Sequence, residues 1–291
     1  MSNKALVVEG GAMRGIFAAG VLDAFLEQQH RPFDFALGVS AGASNMLGYL
    51  TGAKGRSYRV ISELATSRKF FNPGRFIRGG NLMDVKWLSE TSMQRYPLDL
   101  KKLFEAMPFY AATTNINTGL ADYFKVSQDN LADVMEATTA LPIAYKRTPC
   151  FSGGCYADGG VADSIPVKEA YRRGARDITV ILSEPLSYEM RKLKNPRLIK
   201  LLLKENSTIA EALQTRAERY NESLAFIRNP PSDAKIRVIA PPEDFPVKRL
   251  TRKKKLLDIG YTMGLKAGQD HVLNLKGIEH LSPEECSSCY A

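Results

Sequence analysis

Phe33-Asp34-Phe35-Ala36-Leu37-Gly38-Val39-Ser40-Ala41-Gly42 is the stretch on which the fold of this chain turns. Phe33 to Leu37 reads as a buried strand, and the helical pattern resumes at Ala41, so Ser40 stands on a sharp strand-to-helix turn. Gly38 and Gly42, two residues to either side, let the backbone bend there without a side-chain clash and lift the hydroxyl above the sheet. The helix that starts at Ala41 sets its partial positive end beneath the oxygen, where it favours developing negative charge.

Working outward, Ala5 to Val8 reads as a first strand, Gly10 to Gly15 as a Gly-rich turn, and Ile16 to Gln29 as a helix with Phe17, Val21, Leu22, Phe25 and Leu26 on one face. Strand, turn, helix and strand in so short a span predict a right-handed crossover and a parallel pair. Both Gly-rich turns then lie at the same carboxyl edge of the sheet, next to each other. Further on, Pro108 to Asn115 and Ala121 to Val126 read as strands around a turn at Thr118 and Gly119, and Leu131 to Leu141 as a helix ended by Pro142. Phe70 to Gly80 reads as a loop beside a cleft. Ile178 to Leu182 is expected to be the last core strand. From about Pro185 the composition turns helical and charged, which predicts helices over Leu198 to Phe226 and Lys248 to Leu275 around a short strand, Ile236 to Ile239. The expected division is residues 4–183 as the chemical domain and 184–291 as a mainly helical extension packed on it.

The 291 residues are 44% hydrophobic, enough for a large core, and carry 40 Lys and Arg against 31 Asp and Glu, a net +9 that favours anionic partners. The basic residues lack interleaved aromatics or a recognisable nucleic-acid module, so nucleic acid is not expected as a partner. No apolar stretch approaches the ~20 residues that cross a bilayer, and no cleavable leader is evident. Four cysteines, Cys150, Cys155, Cys286 and Cys289, are too few to staple the chain, which fits a reducing cytoplasm. The lone Cys286/Cys289 pair, with only His280 near it, is read as a tail with free thiols rather than a zinc site.

Chemistry is expected where the two turns meet. Glu9-Gly10-Gly11-Ala12-Met13-Arg14-Gly15 opens a helix directly after a strand, so its unpaired amides form an anion cradle. Ala12 stands where a dinucleotide fingerprint needs its second glycine, and Asp34 falls at the wrong end of the next strand, so a nucleotide cofactor is not expected. The alternative is an oxyanion hole beside Ser40, built on the amides of Gly11, Ala12 and Met13. For a base, His30, His271 and His280 sit in no persuasive motif. Asp158, followed by Gly159 and Gly160, can sit at a tight turn and accept the Ser40 proton.

The three motifs resemble those of the patatin-like phospholipase family, which runs acyl chemistry on a Ser-Asp dyad without histidine. Glu9 to Gly15 is similar to the family's oxyanion turn (Gly10, Gly11, Ala12, Met13, Arg14, Gly15), Gly38 to Gly42 to its nucleophile elbow, and Asp158 to Gly160 to its aspartate motif, in the family's order. Ala137 to Tyr145 and Gly160 to Val167 also look like family segments, and the resemblance spans roughly Lys4 to Ser183. Glu9 and Ala12 depart from it, replacing an aspartate and a glycine. The Ala12 methyl matters only if that residue needs a positive φ.

What the resemblance implies is a three-layer α/β/α fold with a mainly parallel central sheet. It also implies a carboxylic-ester hydrolase of phospholipase A or lysophospholipase type, with Ser40 and Asp158 as its catalytic pair and a lipid acyl ester as substrate. Neither metal nor cofactor is needed by such a pair. Two other readings stay open: an α/β-hydrolase triad using His271, and a non-catalytic lipid-binding protein. The cluster Lys248, Arg249, Arg252, Lys253, Lys254 and Lys255 is a candidate for peripheral contact with an anionic leaflet, at the inner face of the membrane if the protein is cytoplasmic.

Overall fold

The computed structural model describes residues 3–279; Cys286, Cys289 and His280 lie outside the described residues. Its strands are β1 (Asn3–Val8), β2 (Phe35–Val39), β3 (Phe109–Asn115), β4 (Ala121–Lys125), β5 (Cys150–Phe151), β6 (Gly154–Asp158), β7 (Ala175–Ile181) and β8 (Lys235–Ile239). The helices are α1 (Gly15–Glu27), α2 (Ala41–Thr51), α3 (Arg56–Arg59), α4 (Pro73–Ile77), α5 (Val85–Arg95), α6 (Leu100–Glu105), α7 (Leu131–Thr139), α8 (Val167–Arg172), α9 (Pro196–Leu202), α10 (Ser207–Arg228) and α11 (Lys254–Glu279).

The strands form one sheet in the order β5-β6-β3-β2-β1-β7-β8, with β4 paired to β3. β1, β2, β3, β7 and β8 run parallel, while β4 and β6 lie antiparallel to β3. The central strands are apolar on both faces, as a sheet covered on both sides requires. Leu6, Val8 and Ala36 pack with Phe17, Val21, Met46 and Val272 from α1, α2 and α11. Their neighbours Ala5, Val7, Phe35 and Leu37 pack with Val167, Ala170, Tyr220 and Leu224 from α8 and α10. The result is a three-layer α/β/α fold, and each fully buried aliphatic or aromatic side chain in it contributes ~1.5 to 3 kcal/mol.

Four expectations need correction. The sheet does not end at β7, because β8 pairs with it in parallel from Asp177↔Lys235 to Ile181↔Ile239. Leu198 to Phe226 is not one helix but α9 and α10, with Leu203 to Asn206 between them. Phe70 to Gly80 is not purely a loop, since Asn72 caps the short α4 by accepting from Arg75 N–H at 2.9 Å. Finally, Cys150 and Cys155 are joined by a disulfide across the β5–β6 hairpin.

α11 docks on α1 at backbone range. A Cβ on Gly264 would stand 2.1 Å from Phe17 O, and one on Gly20 would stand 2.2 Å from Tyr261 O, so only glycines permit the approach.

Candidate active site

Ser40 and Asp158 meet because of how three strands share an edge. β2 runs parallel to β3 and ends with Val39 opposite Ala112; the next residue of β3, Thr113, is opposite Asp158, the last residue of antiparallel β6. β4 covers the other edge of β3 over the same residues, so β2 and β6 meet end to end on one edge. The residue that leaves β2 therefore faces the residue that ends β6.

At that junction Ser40 Oγ donates to Asp158 Oδ2 at 2.7 Å. Ser40 has φ 51° and ψ −121°, a strained conformation for a residue with a side chain. Its neighbours hold the strain. Ser40 N–H donates to Thr138 Oγ1 at 2.9 Å, and the Thr138 hydroxyl in turn donates to Ala112 O at 2.6 Å. A Cβ on Gly42 would lie 2.5 Å from Val8 O, and one on Gly38 would lie 2.8 Å from Ala43 Cα, which is why glycines flank the turn.

Asp158 is 2% exposed. Its Oδ1 accepts Gly160 N–H at 2.7 Å, its own N–H donates to Ala140 O, and its carbonyl accepts the Thr114 hydroxyl. Burial raises the Asp158 pKa, opposed by hydrogen bonds from Ser40 and Gly160 and by the charges of Arg216 and Arg249. Removal from water thus increases the carboxylate's affinity for a proton while the Ser40 hydroxyl points at it.

The Gly10–Gly15 turn abuts the Ser40 turn, as expected: a Cβ on Gly10 would stand 3.2 Å from Ser40 Cβ. Its amides are largely committed. Gly10 N–H donates to Ser164 O, Met13 N–H to Arg249 O at 3.3 Å, and Arg14 N–H to Gly11 O. Gly15 N–H returns to carbonyls of the turn itself. The expected trio of free donors therefore narrows to a pair. Gly11 and Ala12 amides have no acceptor among the described residues. Ala12 takes φ 51°, so the residue that departs from glycine does occupy the left-handed region. Glu9, 1% exposed, ties the turn down by accepting Ser183 N–H at 2.6 Å and the Tyr220 hydroxyl at 3.0 Å. The Arg14 guanidinium pairs with Glu184 and reaches Ser183 Oγ.

A cavity of about 340 Å³ opens beside Ser40, walled by Met13, Val60, Leu88, Met135 and Leu141 among others. His271 is not part of it. Its ring lies 5.7 Å from Phe25 and 6.0 Å from His30, on the α1–α11 side of the sheet. The cluster Lys248 to Lys255 is divided: Lys254 is tied to Tyr58 and Asp258, and Arg252 stacks over Phe71 at 4.9 Å. Among the described residues no group of three or more His, Cys, Asp or Glu side chains is placed to hold a metal ion. No helix among them is long and apolar enough to cross a membrane.

Two participants lie outside the three motifs. Thr138 falls within the family-like segment Ala137 to Tyr145, but nothing there marks it as a partner of Ser40, and the contact exists only once α7 packs on β3 and β6. Arg216, on α10, donates to Gly160 O and, at 3.2 Å, to Ser164 Oγ, so a helix beyond the core sheet braces the aspartate turn.

Residues 6–171 match the family model for patatin-like phospholipases, and the chain belongs to that family. Residues 206–278 match a second model, a domain of unknown function, DUF6363. An uncharacterised Escherichia coli K12 protein, YjjU, is 36% identical over 273 residues, 91% of this chain and 76% of that protein. Lysophospholipase NTE1 of Lodderomyces elongisporus is 27% identical over 196 residues, 62% of this chain but 13% of that much longer protein. The crystal structure of VipD from Legionella pneumophila aligns with a TM-score of 0.47 and 14% identity, over 93% of this chain and 67% of that one.

Proposed function

We propose that the protein is a lipid acyl hydrolase in which Ser40 is the nucleophile, Asp158 the general base and the Gly11 and Ala12 amides the oxyanion hole. The observation that carries the reading is the 2.7 Å bond from Ser40 Oγ to a buried carboxylate, in the wall of an apolar cavity and beside two amides without acceptors among the described residues. Ser40 Oγ attacks the ester carbonyl as its proton passes to Asp158. The oxyanion of the tetrahedral intermediate is held by the two N–H groups, each worth ~3 to 4 kcal/mol when well placed. Collapse expels the alcohol, which takes the proton from Asp158. Water, activated by the same carboxylate, then releases the acyl group and restores Ser40. The apolar cavity suits a fatty-acyl chain, and a relative named as a lysophospholipase supports phospholipid or lysophospholipid esters as the substrate class.

The test uses purified protein, p-nitrophenyl esters and a fluorophosphonate probe. Ser40→Ala is expected to abolish labelling and turnover, and Asp158→Asn to lower kcat by ~10² to 10⁴. His271→Leu is expected to stay active, whereas a His271 triad would collapse. Full turnover in Ser40→Ala would overturn the reading.

A further inference from the structure

Arg56, the first residue of α3, is buried to 4% exposure in the wall of the Ser40 cavity. Its Nε donates to Tyr96 O at 2.8 Å, and its Nη2 reaches Ser92 Oγ at 3.2 Å and Met93 Sδ at 3.8 Å. Nη1 has no hydrogen-bond partner among the described residues, and no carboxylate there pairs with the group. Burial lowers its pKa to about 10, helped by the like charge of Arg59, so it stays a cation at neutral pH. A cation with no counter-charge beside it, at one end of a cavity, favours an anionic group entering to meet it. Two partly buried guanidiniums near the site differ: Arg14 has Glu184, and Arg216 feels Asp158 and Glu9.

The position of Arg56 sets a distance. Ser40 precedes the first turn of α2, whereas a Cβ on Gly48 would stand 3.1 Å from Ser57 Oγ and 3.9 Å from Arg56 Cβ. Eight residues of helix separate Ser40 from the place where the Arg56 Cβ packs, a rise of roughly 12 Å to the base of the arginine side chain, which an extended chain of about ten bonds covers. Around Arg56 the wall turns polar, with Ser57, Ser92, which accepts from the guanidinium, and Ser89, whose carbonyl accepts the Ser92 hydroxyl. A glycerophospholipid phosphate lies only about six bonds from its ester carbon, roughly half that reach.

Resting on the Ser40 acyl-hydrolase reading, we propose that this cavity is an acyl pocket whose far end, at Arg56, selects acyl groups bearing a terminal carboxylate about ten bonds from the ester carbonyl. The hydrocarbon lies against Val60, Leu88 and Met135, and its ω-carboxylate takes the open face of the guanidinium. Arg56 is thereby a specificity residue.

The experiment compares kcat/KM for the mono-p-nitrophenyl ester of sebacic acid with that for p-nitrophenyl decanoate, which has the same chain length without the charge. Wild type is expected to favour the ω-carboxy ester at least tenfold. Arg56→Met is expected to bring the ratio to within twofold of one, and Arg56→Lys to restore part of it. No preference in wild type, or equal loss on both esters in Arg56→Met, makes Arg56 a strut for Tyr96 and Ser92 and overturns the proposal. Calorimetric binding to Ser40→Ala separates this failure from failure of the Ser40 reading. Monomethyl sebacate is expected to bind at least tenfold tighter than methyl decanoate whether or not Ser40 is the nucleophile, and equal binding overturns the pocket assignment. Displacement of monomethyl sebacate by glycerol 3-phosphate at comparable concentration would assign the site to a headgroup phosphate instead, and overturn it too.

Discussion

Ala12→Gly should make this protein more stable, although it removes atoms from a folded turn. Ala12 sits at φ 51°, where an L-residue pays about 1 to 2 kcal/mol that glycine does not. Against that gain stands the greater freedom of glycine in the unfolded chain, about 0.5 to 1 kcal/mol relative to alanine. The methyl lines the open cavity and is only partly buried, so its deletion leaves no sealed void to add a packing cost. The two ranges differ by about 0 to 1.5 kcal/mol, and their midpoints leave a net stabilisation of about 0.75 kcal/mol. For a chain of this size that corresponds to a rise in Tm of about 1 to 4 °C. Scanning calorimetry of wild type, Ala12→Gly and Ala12→Val under one set of conditions measures it. The valine variant supplies the opposite sign, because a β-branched residue at positive φ is a steric outlier. A Tm for Ala12→Gly lower than wild type by more than a degree would show that the backbone strain is not where the gain is sought, and the reasoning would fail. Turnover is expected to change little, since glycine can hold the same backbone angles and so the same N–H direction.

Three further outcomes follow from the charges around the site. Arg216→Met removes a positive charge that holds the Asp158 pKa down, so the acid limb of the kcat/KM pH profile should move to higher pH; an unmoved limb would mean that Arg216 only braces the turn. His271, partly buried beside His30, Arg237 and Asp177, has its pKa lowered from 6.5 to about 4, chiefly by burial and then by His30 and Arg237. Below pH 6.5 the unfolded chain therefore binds a proton that the folded one refuses, so the His271 contribution to stability is present above 6.5 and lost as the pH falls toward 4. Urea midpoints across that window should fall less steeply in His271→Leu than in wild type; parallel slopes would refute the assignment. Asp158, raised by burial, acts with the opposite sign, which is why the comparison is between variants and not on wild type alone. Binding to anionic vesicles should exceed binding to neutral ones at low salt and fall at high salt, through Lys248, Arg252 and Lys253; equal binding to both would dismiss that contact.

The Ser40 turn, the glycines around it and the parallel pair β1/β2 were legible because they are local: each rests on residues within one strand-turn-helix unit, where spacing and small side chains carry the constraint. The pairing of Ser40 with Asp158 is not local, yet it too was within reach, through motif order and family resemblance. Two things had no local signature. The short β8 looked like a strand isolated among helices, and nothing in Lys235 to Ile239 announces that it extends the main sheet beside β7. The Gly11, Ala12 and Met13 amides looked equivalent in sequence, and the approach of Arg249 O to Met13 N–H is what sets Met13 apart from the other two.

The second of these misses has a physical origin that bears on how the site is held. Arg249 O, which occupies the Met13 amide, Tyr220, which holds Glu9, and Arg216, which grips the aspartate turn, all come from the chain beyond β7. Each acts through one or two hydrogen bonds delivered across the fold, a kind of contact that leaves no periodicity in the segment supplying it. The Gly-rich turn and the Asp-Gly-Gly turn are short of side chains by construction, because close backbone approach excludes them. Such turns cannot brace themselves. Groups from elsewhere in the fold hold them instead: Arg249 O and Tyr220 fasten the turn that carries Ala12, Arg216 fastens the aspartate turn, and Thr138 of α7 holds the Ser40 turn.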